Sequence, residues 1–291
     1  MPKAGIVTVV GKPNVGKSTL LNRIVGEKLS ITSPKPQSTR DRVVGIRSTA
    51  DSQMVILDTP GLLNPSYPLQ EAMRSTALRA LDEADVIIYV VDATEGTPPP
   101  LKEAAGLEKS PGAPLITAMN KSDKLSPNRA EGIATADIVL VSALTGDGVA
   151  DLMARVEKRL PESPFLYPED EISTQPVRFF VAEMVRETVL EQLHDEVPYS
   201  VAVQVEEYRE DRSPLYIRAV IYVERDSQKA IIIGSKGAQI RRIGETSRAK
   251  IEAFAGSQVY LDLWVKVLAN WRKNPGSLSR FGYQLVTGKS K

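Results

Sequence analysis

Short apolar runs at residues 5–10, 54–57, 86–91, 115–119 and 138–141 alternate along the first half of the chain with amphipathic stretches such as 70–81 and 149–160. A run that is apolar at every position suits a strand covered on both faces. Its alternation with helical periods predicts an α/β domain, with a mostly parallel sheet and helices on both sides. The pattern stops at Leu160-Pro161-Glu162-Ser163-Pro164, and the Pro- and acid-rich stretch through Pro176 has no apolar period. A domain boundary is expected there. Beyond it, Val181, Met184, Val185, Thr188, Val189 and Leu193 recur at helical spacing. Val201, Val203 and Val205, then Ile217, Ala219, Ile221 and Val223, alternate as half-buried strands do. Helical patterns flank residues 234–237, and Val259, Leu261, Leu263 and Val265 mark a last strand. The predicted order is helix, strand, strand, helix, helix, strand: a smaller α+β unit. The expected domains are residues 1–163 and 176–291, with 164–175 as linker.

Composition narrows the chemistry. The 291 residues include no Cys, which excludes disulfides and thiolate metal sites, and a single His, His194, which excludes a His cluster. His194 and the two tryptophans, Trp264 and Trp271, are expected to serve surface, core or partner contacts rather than catalysis or base stacking. No apolar stretch reaches membrane-spanning length, and Met1-Pro2-Lys3-Ala4 does not begin a signal peptide. The net charge of +1 hides an asymmetry. Residues 1–165 carry 19 Lys/Arg and 19 Asp/Glu, whereas residues 227–291 carry 12 Lys/Arg and 3 Asp/Glu. Such a basic end suits a polyanion, although a solvated basic face has the same composition.

Gly11-Lys12-Pro13-Asn14-Val15-Gly16-Lys17-Ser18 follows the first strand and opens a helix. Glycines at both ends let successive N–H groups turn toward phosphate oxygens, and the helix start adds its positive dipole end. Gly11, Asn14, Val15, Gly16, Lys17, Ser18 and Thr19 form the expected phosphate-binding set. Lys17 would reach the β and γ phosphates, and Ser18 would ligate Mg²⁺. Asp58-Thr59-Pro60-Gly61 places an acid at a strand end, where it can hold Mg²⁺, and a glycine whose N–H can approach a γ-phosphate. Asn120-Lys121-Ser122-Asp123 resembles the guanine-reading motif of GTPases. The Asp123 carboxylate can accept from both N1–H and the 2-amino group of guanine, donors that adenine lacks. Ser142, Ala143 and Leu144 would complete the base site, with the Ala143 N–H facing O6. In Pro36-Gln37-Ser38-Thr39-Arg40-Asp41-Arg42, Thr39 is favoured over Ser38 as the switch hydroxyl that joins the Mg²⁺ shell. Lys17, Thr39, Gly61 and Asn14 are the expected catalytic contributors. Arg40 and Arg42 are rival donors of positive charge. Leu62 stands where many GTPases carry a water-orienting Gln.

In the second half, Gly234-Ser235-Lys236-Gly237 joins two helical stretches. A loop of this type lets a nucleic-acid backbone lie close against the protein. Lys236, Arg241, Arg242, Arg248 and Lys250 would meet phosphates, with Ile233 and Ile240 as an apolar floor beneath bases. A lone Gly-x-x-Gly is more often a plain turn; the six-element order and the basic segment give it weight.

Together these motifs, with Pro198-Tyr199-Ser200, Ile233-Gly234-Ser235-Lys236-Gly237, Leu263-Trp264-Val265-Lys266-Val267, Asn274-Pro275 and Gly282-Tyr283, resemble the Era GTPases of bacteria over nearly the whole chain. The resemblance implies a P-loop GTPase domain followed by a KH type II domain, with GTP/GDP and Mg²⁺ as ligands. It implies slow GTP hydrolysis and K⁺ held with the help of Asn14. It further implies RNA near the 3′ end of small-subunit ribosomal RNA, a role in assembling the small ribosomal subunit, a cytoplasmic monomer, and an allowance for peripheral association with the inner membrane. Two departures stand out: Ser38-Thr39-Arg40 replaces Thr-Thr-Arg, and residues 124–137 are short for the helix usual there. The alternatives are an RNA chaperone in which GTP is structural, and a GTPase of tRNA modification or membrane transport.

Overall fold

The computed structural model describes residues 1–126, 133 and 135–285. The shortened helix expected within 124–137, and the end of the basic tail from 286 onward, fall largely outside the described residues. The chain divides into two compact units, Met1–Ser66 with Gln70–Thr174, and Tyr67–Leu69 with Gln175–Lys291.

The first unit comprises β1 (Lys3–Val10), α1 (Lys17–Val25), β2 (Val43–Ser48), β3 (Ser52–Asp58), α2 (Pro68–Asp82), β4 (Val86–Asp92), α3 (Leu101–Ala105), β5 (Leu115–Asn120), β6 (Ile138–Leu140) and α4 (Val149–Arg159). The strand order is β2-β3-β1-β4-β5-β6, and only the β2–β3 pair is antiparallel. The five runs apparent in the sequence are the five parallel strands. β2 lacks such a run because Gly45 and Arg47 interrupt it. Gly45 is required by packing: a Cβ there would lie 2.7 Å from Val25 Cγ2 and 2.8 Å from Leu21 Cδ1 on α1.

Parallel strands end on one edge, and ligands of such sheets bind beyond that edge. The register pairs Val9 with Asp58, Val10 with Tyr89 and Asp92 with Asn120, so the chemical motifs emerge side by side. After α4, a strap runs back along the unit. The buried Gln53 side chain accepts from the Leu166 and Tyr167 amides at 2.7 and 2.9 Å and donates to the Tyr167 carbonyl at 2.8 Å. The Ile46 amide donates to the Ile172 carbonyl at 2.8 Å, and Ser173 Oγ donates to the Val44 carbonyl at 2.5 Å.

The second unit comprises α5 (Val177–Gln192), β7 (Ala202–Arg209), β8 (Leu215–Val223), α6 (Asp226–Ile233), α7 (Ala238–Ala255), β9 (Val259–Val267) and α8 (Pro275–Arg280). The first six follow the expected order, and α8 is an addition that the sequence pattern did not reveal. The sheet order is β7-β8-β9, with β7 antiparallel and β9 parallel to β8. Its core unites Val181, Val185 and Val189 of α5 with Ile217 and Ile221 of β8 and Ile243 and Ile251 of α7. Trp271 is fully buried, its Nε1 donating to the Ser200 carbonyl at 2.7 Å. Trp264 on β9 and His194 just after α5 are exposed.

Candidate functional site

Beyond the C-terminal edge of the parallel sheet lies a cavity of about 620 Å³, lined by the loop before α1, residues 31–39, Gly61, the loop after β5, and Ala143 and Leu144. At Gly11 a Cβ would lie 2.1 Å from the Val90 carbonyl oxygen, and at Gly16, where φ is +96°, 2.2 Å from Asn120 Nδ2. Both positions therefore exclude any side chain, and the loop can wrap tightly around an anion. Lys17 is 5 % exposed, and its Nζ donates to the carbonyls of Gly11 at 3.1 Å and Lys12 at 2.8 Å. Burial lowers its pKa to about 8, although Asp58 pulls in the opposite direction. Thr19 lines the same cavity, and Val15 is buried with its carbonyl turned toward Asn120.

Three oxygens converge beside Lys17. Ser18 Oγ donates to Asp58 Oδ2 at 2.7 Å and lies 2.8 Å from Thr39 Oγ1. Burial raises the Asp58 pKa against the opposing pull of Lys17 and the hydroxyls. The other carboxylate oxygen, Oδ1, is buried and has no hydrogen-bond partner among the described residues. An orphaned anionic oxygen among hydroxyls is a set of hard donors that fits Mg²⁺. Thr39 rather than Ser38 faces this cluster. Gly61 sits so close to Pro13 that a Cβ would lie 2.7 Å from its ring. Leu62 is buried among Val10, Ala77 and Leu81, so its side chain is turned into the core and offers no group to orient water.

Asn120 ties the base end together. Its Nδ2 donates to the Val15 carbonyl at 2.7 Å, and its Oδ1 accepts from the Ala143 amide at 2.9 Å. The expected free Ala143 N–H is therefore engaged, and the Leu144 amide, next along the loop, lies beside the cavity without a hydrogen bond among the described residues. Ser142 Oγ donates to Asp123 Oδ1 at 2.6 Å, which turns the carboxylate and leaves Oδ2 for a ligand. Asn14 Nδ2 donates to the Pro34 carbonyl at 2.8 Å, which binds the phosphate loop to the polar segment before β2. Neither Arg40 nor Arg42 lines the cavity: Arg40 is 3 % exposed, and Arg42 pairs with Glu83 at 2.5 Å.

Two residues that the sequence motifs do not include touch this site from behind. Arg23 of α1 donates to the carbonyls of Ala143 and Leu144. Asp92 accepts from Lys121 Nζ at 2.6 Å. Only the helix face and the strand register, neither of which is a motif, bring them there.

In the second unit, residues 234–237 form the turn between α6 and α7. Gly234 and Gly237 have φ of +70° and +77°, and Lys236 has φ of +50°. Lys236 is exposed to solvent, as are Ser235 in the same turn and Arg241 and Arg242 on α7. Ile233 and Ile240 are half-buried, and Ile240 packs on the core. Lys250 does not join this group. Its ammonium is held by Glu187 at 2.8 Å and Glu191 at 2.7 Å on α5, which neutralises the charge expected for phosphate.

Residues 6–121 match a family described as 50S ribosome-binding GTPase, and residues 196–272 match the KH domain family. The chain is 42 % identical to the GTPase Era of Carboxydothermus hydrogenoformans, over 97 % of this chain and 98 % of that protein. It is 43 % identical to that of Ectopseudomonas mendocina, over 97 % of each. Among solved structures, a single-residue variant of Aquifex aeolicus Era bound to GDP·AlF₄⁻ superimposes with a TM-score of 0.91 at 41 % identity, covering 97 % of this chain and all of that one. Era in complex with MgGDPNP and nucleotides 1506–1542 of 16S ribosomal RNA gives the same score at 40 % identity, covering 98 % and 100 %.

Proposed function

We propose that this chain, which belongs to the Era family of GTP-hydrolysing enzymes, uses its nucleotide state to set the grip of its second unit on small-subunit ribosomal RNA near the 3′ end, in the service of small-subunit assembly. The observation that supports this reading is the pairing, in one chain, of a cavity that gathers the phosphate loop, Asp123 and Ala143 with an exposed Gly-x-x-Gly turn bearing Lys236. The division of labour places nucleotide chemistry in residues 1–163 and RNA binding in 176–291, with a cytoplasmic monomer as the working form. Among the described residues, no helix is long and apolar enough to cross a membrane.

The loop amides and Lys17 hold the triphosphate, and the Gly61 N–H approaches the γ-phosphoryl group. Ser18, Thr39 and Asp58 are the residues that would hold Mg²⁺, which supplies neutralisation of charge on the β and γ oxygens. Thr39 lies in the segment before β2, so its engagement ties that segment to the presence of the γ-phosphate. With Leu62 buried, backbone groups or another residue must orient the attacking water. Ser142 fixes the Asp123 carboxylate for the guanine N1–H and 2-amino donors, Asn120 ties the base loop to the phosphate loop, and the Leu144 amide would serve O6.

The Asn14 amide nitrogen is taken by the Pro34 carbonyl, which leaves its oxygen as an acceptor on a side chain that lines the cavity. This supports a role for Asn14 in holding K⁺, a monovalent charge that does the work of an arginine finger while Arg40 and Arg42 stay away from the cavity. Hydrolysis is therefore expected to run about tenfold faster in K⁺ than in Na⁺ at equal ionic strength, as an added positive charge at the transition state requires. Equal steady-state rates in the two salts contradict the assignment.

RNA binding is tested by titrating a labelled small-subunit 3′-end fragment with the GDP form and with a non-hydrolysable GTP analogue. The GTP-analogue form should bind more tightly; equal affinities would make GTP a structural ligand of an RNA chaperone. Lys236→Asp should weaken the complex about tenfold and reduce the salt slope by about one, while basal GTP turnover stays unchanged.

A further inference from the structure

Asp92 is the last residue of β4, and the parallel register sets it directly beside Asn120, one residue before Lys121. Its two oxygens have separate partners. Oδ1 accepts from the Thr94 amide at 2.9 Å and the Thr94 hydroxyl at 2.7 Å, which caps the short turn Ala93–Glu95. Oδ2 accepts from Lys121 Nζ at 2.6 Å. The pair is sheltered, with side-chain exposures of 28 % for Lys121 and 11 % for Asp92. Burial alone would raise the Asp92 pKa, and the bonds from Lys121 and Thr94 overcome it, so the carboxyl stays below its ordinary value and charged.

Lys121 lines the nucleotide cavity, and Asp92 does not. The Lys121 backbone is left-handed, with φ of +66°, a conformation that costs a residue with a side chain about 1 kcal/mol or more. That backbone aims the side chain across the cavity wall. A lysine stem has several free rotors, and without an anchor at its tip it would lose side-chain entropy each time it lay flat against a ligand. Asp92 meets that cost before the ligand arrives, because its carboxylate is itself immobilised by Thr94.

We infer that Asp92 is a positioning residue for guanine-nucleotide affinity: by anchoring the Lys121 ammonium it preforms the aliphatic wall on which the base rests. The inference rests on the assignment of the cavity to guanine nucleotides. Because the base is common to GDP and GTP, the anchor affects both alike and leaves the phosphoryl chemistry untouched.

Asp92→Asn separates this role from the cap. An amide oxygen still accepts from the Thr94 N–H, and Asn caps as well as Asp does, but the charge that holds Lys121 is gone. The experiment follows dissociation of N-methylanthraniloyl-GDP from the full-length wild type, Asp92→Asn, Lys121→Met and the double variant, together with steady-state GTP hydrolysis. Asp92→Asn should release the nucleotide about tenfold faster and raise KM about tenfold, with kcat within about twofold, as loss of a charge-assisted hydrogen bond predicts. In the Lys121→Met background the same substitution should add nothing. An unchanged release rate in Asp92→Asn overturns the inference. So does an equal loss with and without Lys121, which would assign Asp92 to the fold alone. A wild type that does not take up the fluorescent GDP would instead refute the assignment of the cavity, and the two failures are thereby told apart.

Discussion

Asp123→Asn lowers GTP affinity about a thousandfold and moves the preference toward xanthine nucleotides. The direction follows from the hydrogen bond at the back of the side chain. Ser142 Oγ donates to Asp123 Oδ1 at 2.6 Å, and in the variant the same donor would select the amide oxygen. The amide nitrogen is then the atom turned to the ligand, where it meets the N1–H and 2-amino donors of guanine. Donor facing donor leaves buried groups unpaired, and sites built to hydrogen-bond discriminate by factors of about 10⁴ for this reason. Xanthine carries a carbonyl at the 2-position and accepts from the amide. Competition of GTP and XTP against a fluorescent nucleotide measures the swap, and unchanged GTP affinity would remove Asp123 from the base site.

Lys17→Ala removes the buried ammonium from the phosphate loop, and GTP turnover should fall by about a hundredfold or more, the usual loss for one preorganised donor at a developing charge. The same lysine gives binding a pH signature. In the nucleotide-free protein its pKa is near 8, lowered by burial. A bound triphosphate favours the charged form and must raise that value. Below pH 8 Lys17 is protonated in both states, and affinity is independent of its titration. Above pH 8 the free protein has lost the proton and must take one up to bind, so affinity falls by up to about tenfold per pH unit until the pKa of the complex is reached. Calorimetry at pH 8.5 in buffers of different ionisation enthalpy should show about three-quarters of a proton taken up in the wild type and none in Lys17→Ala. Equal uptake in the two proteins would place the proton elsewhere.

The motifs around this pocket were legible because each one follows a parallel strand, and strands buried on both faces announce themselves as apolar runs. Their chemistry, by contrast, depends on which atom of each group is already occupied. No spacing reveals that the Ala143 amide is taken by Asn120, that Lys250 is neutralised by two glutamates of α5, or that neither Arg40 nor Arg42 lines the cavity. β2 escaped the pattern because Gly45 yields to α1 and Arg47 reaches the Ile24 carbonyl at the end of that helix. α8 escaped it too: its six residues, Pro-Gly-Ser-Leu-Ser-Arg, bury Leu278 and little else. Asp92 is a single acid at a strand end, and only the register with β5 gives it a neighbour.

The strap that lies along β2 has a consequence for handling the protein in bulk. β2 is the outermost strand of its sheet, and an uncovered outer strand offers a row of amides and carbonyls to any other extended polypeptide. Ile172 and Ser173 occupy two of those groups from within the same molecule. Trimming the chain upstream of these residues would expose a template for sheet growth from molecule to molecule, so colloidal behaviour at high concentration rests on a segment that takes no part in catalysis.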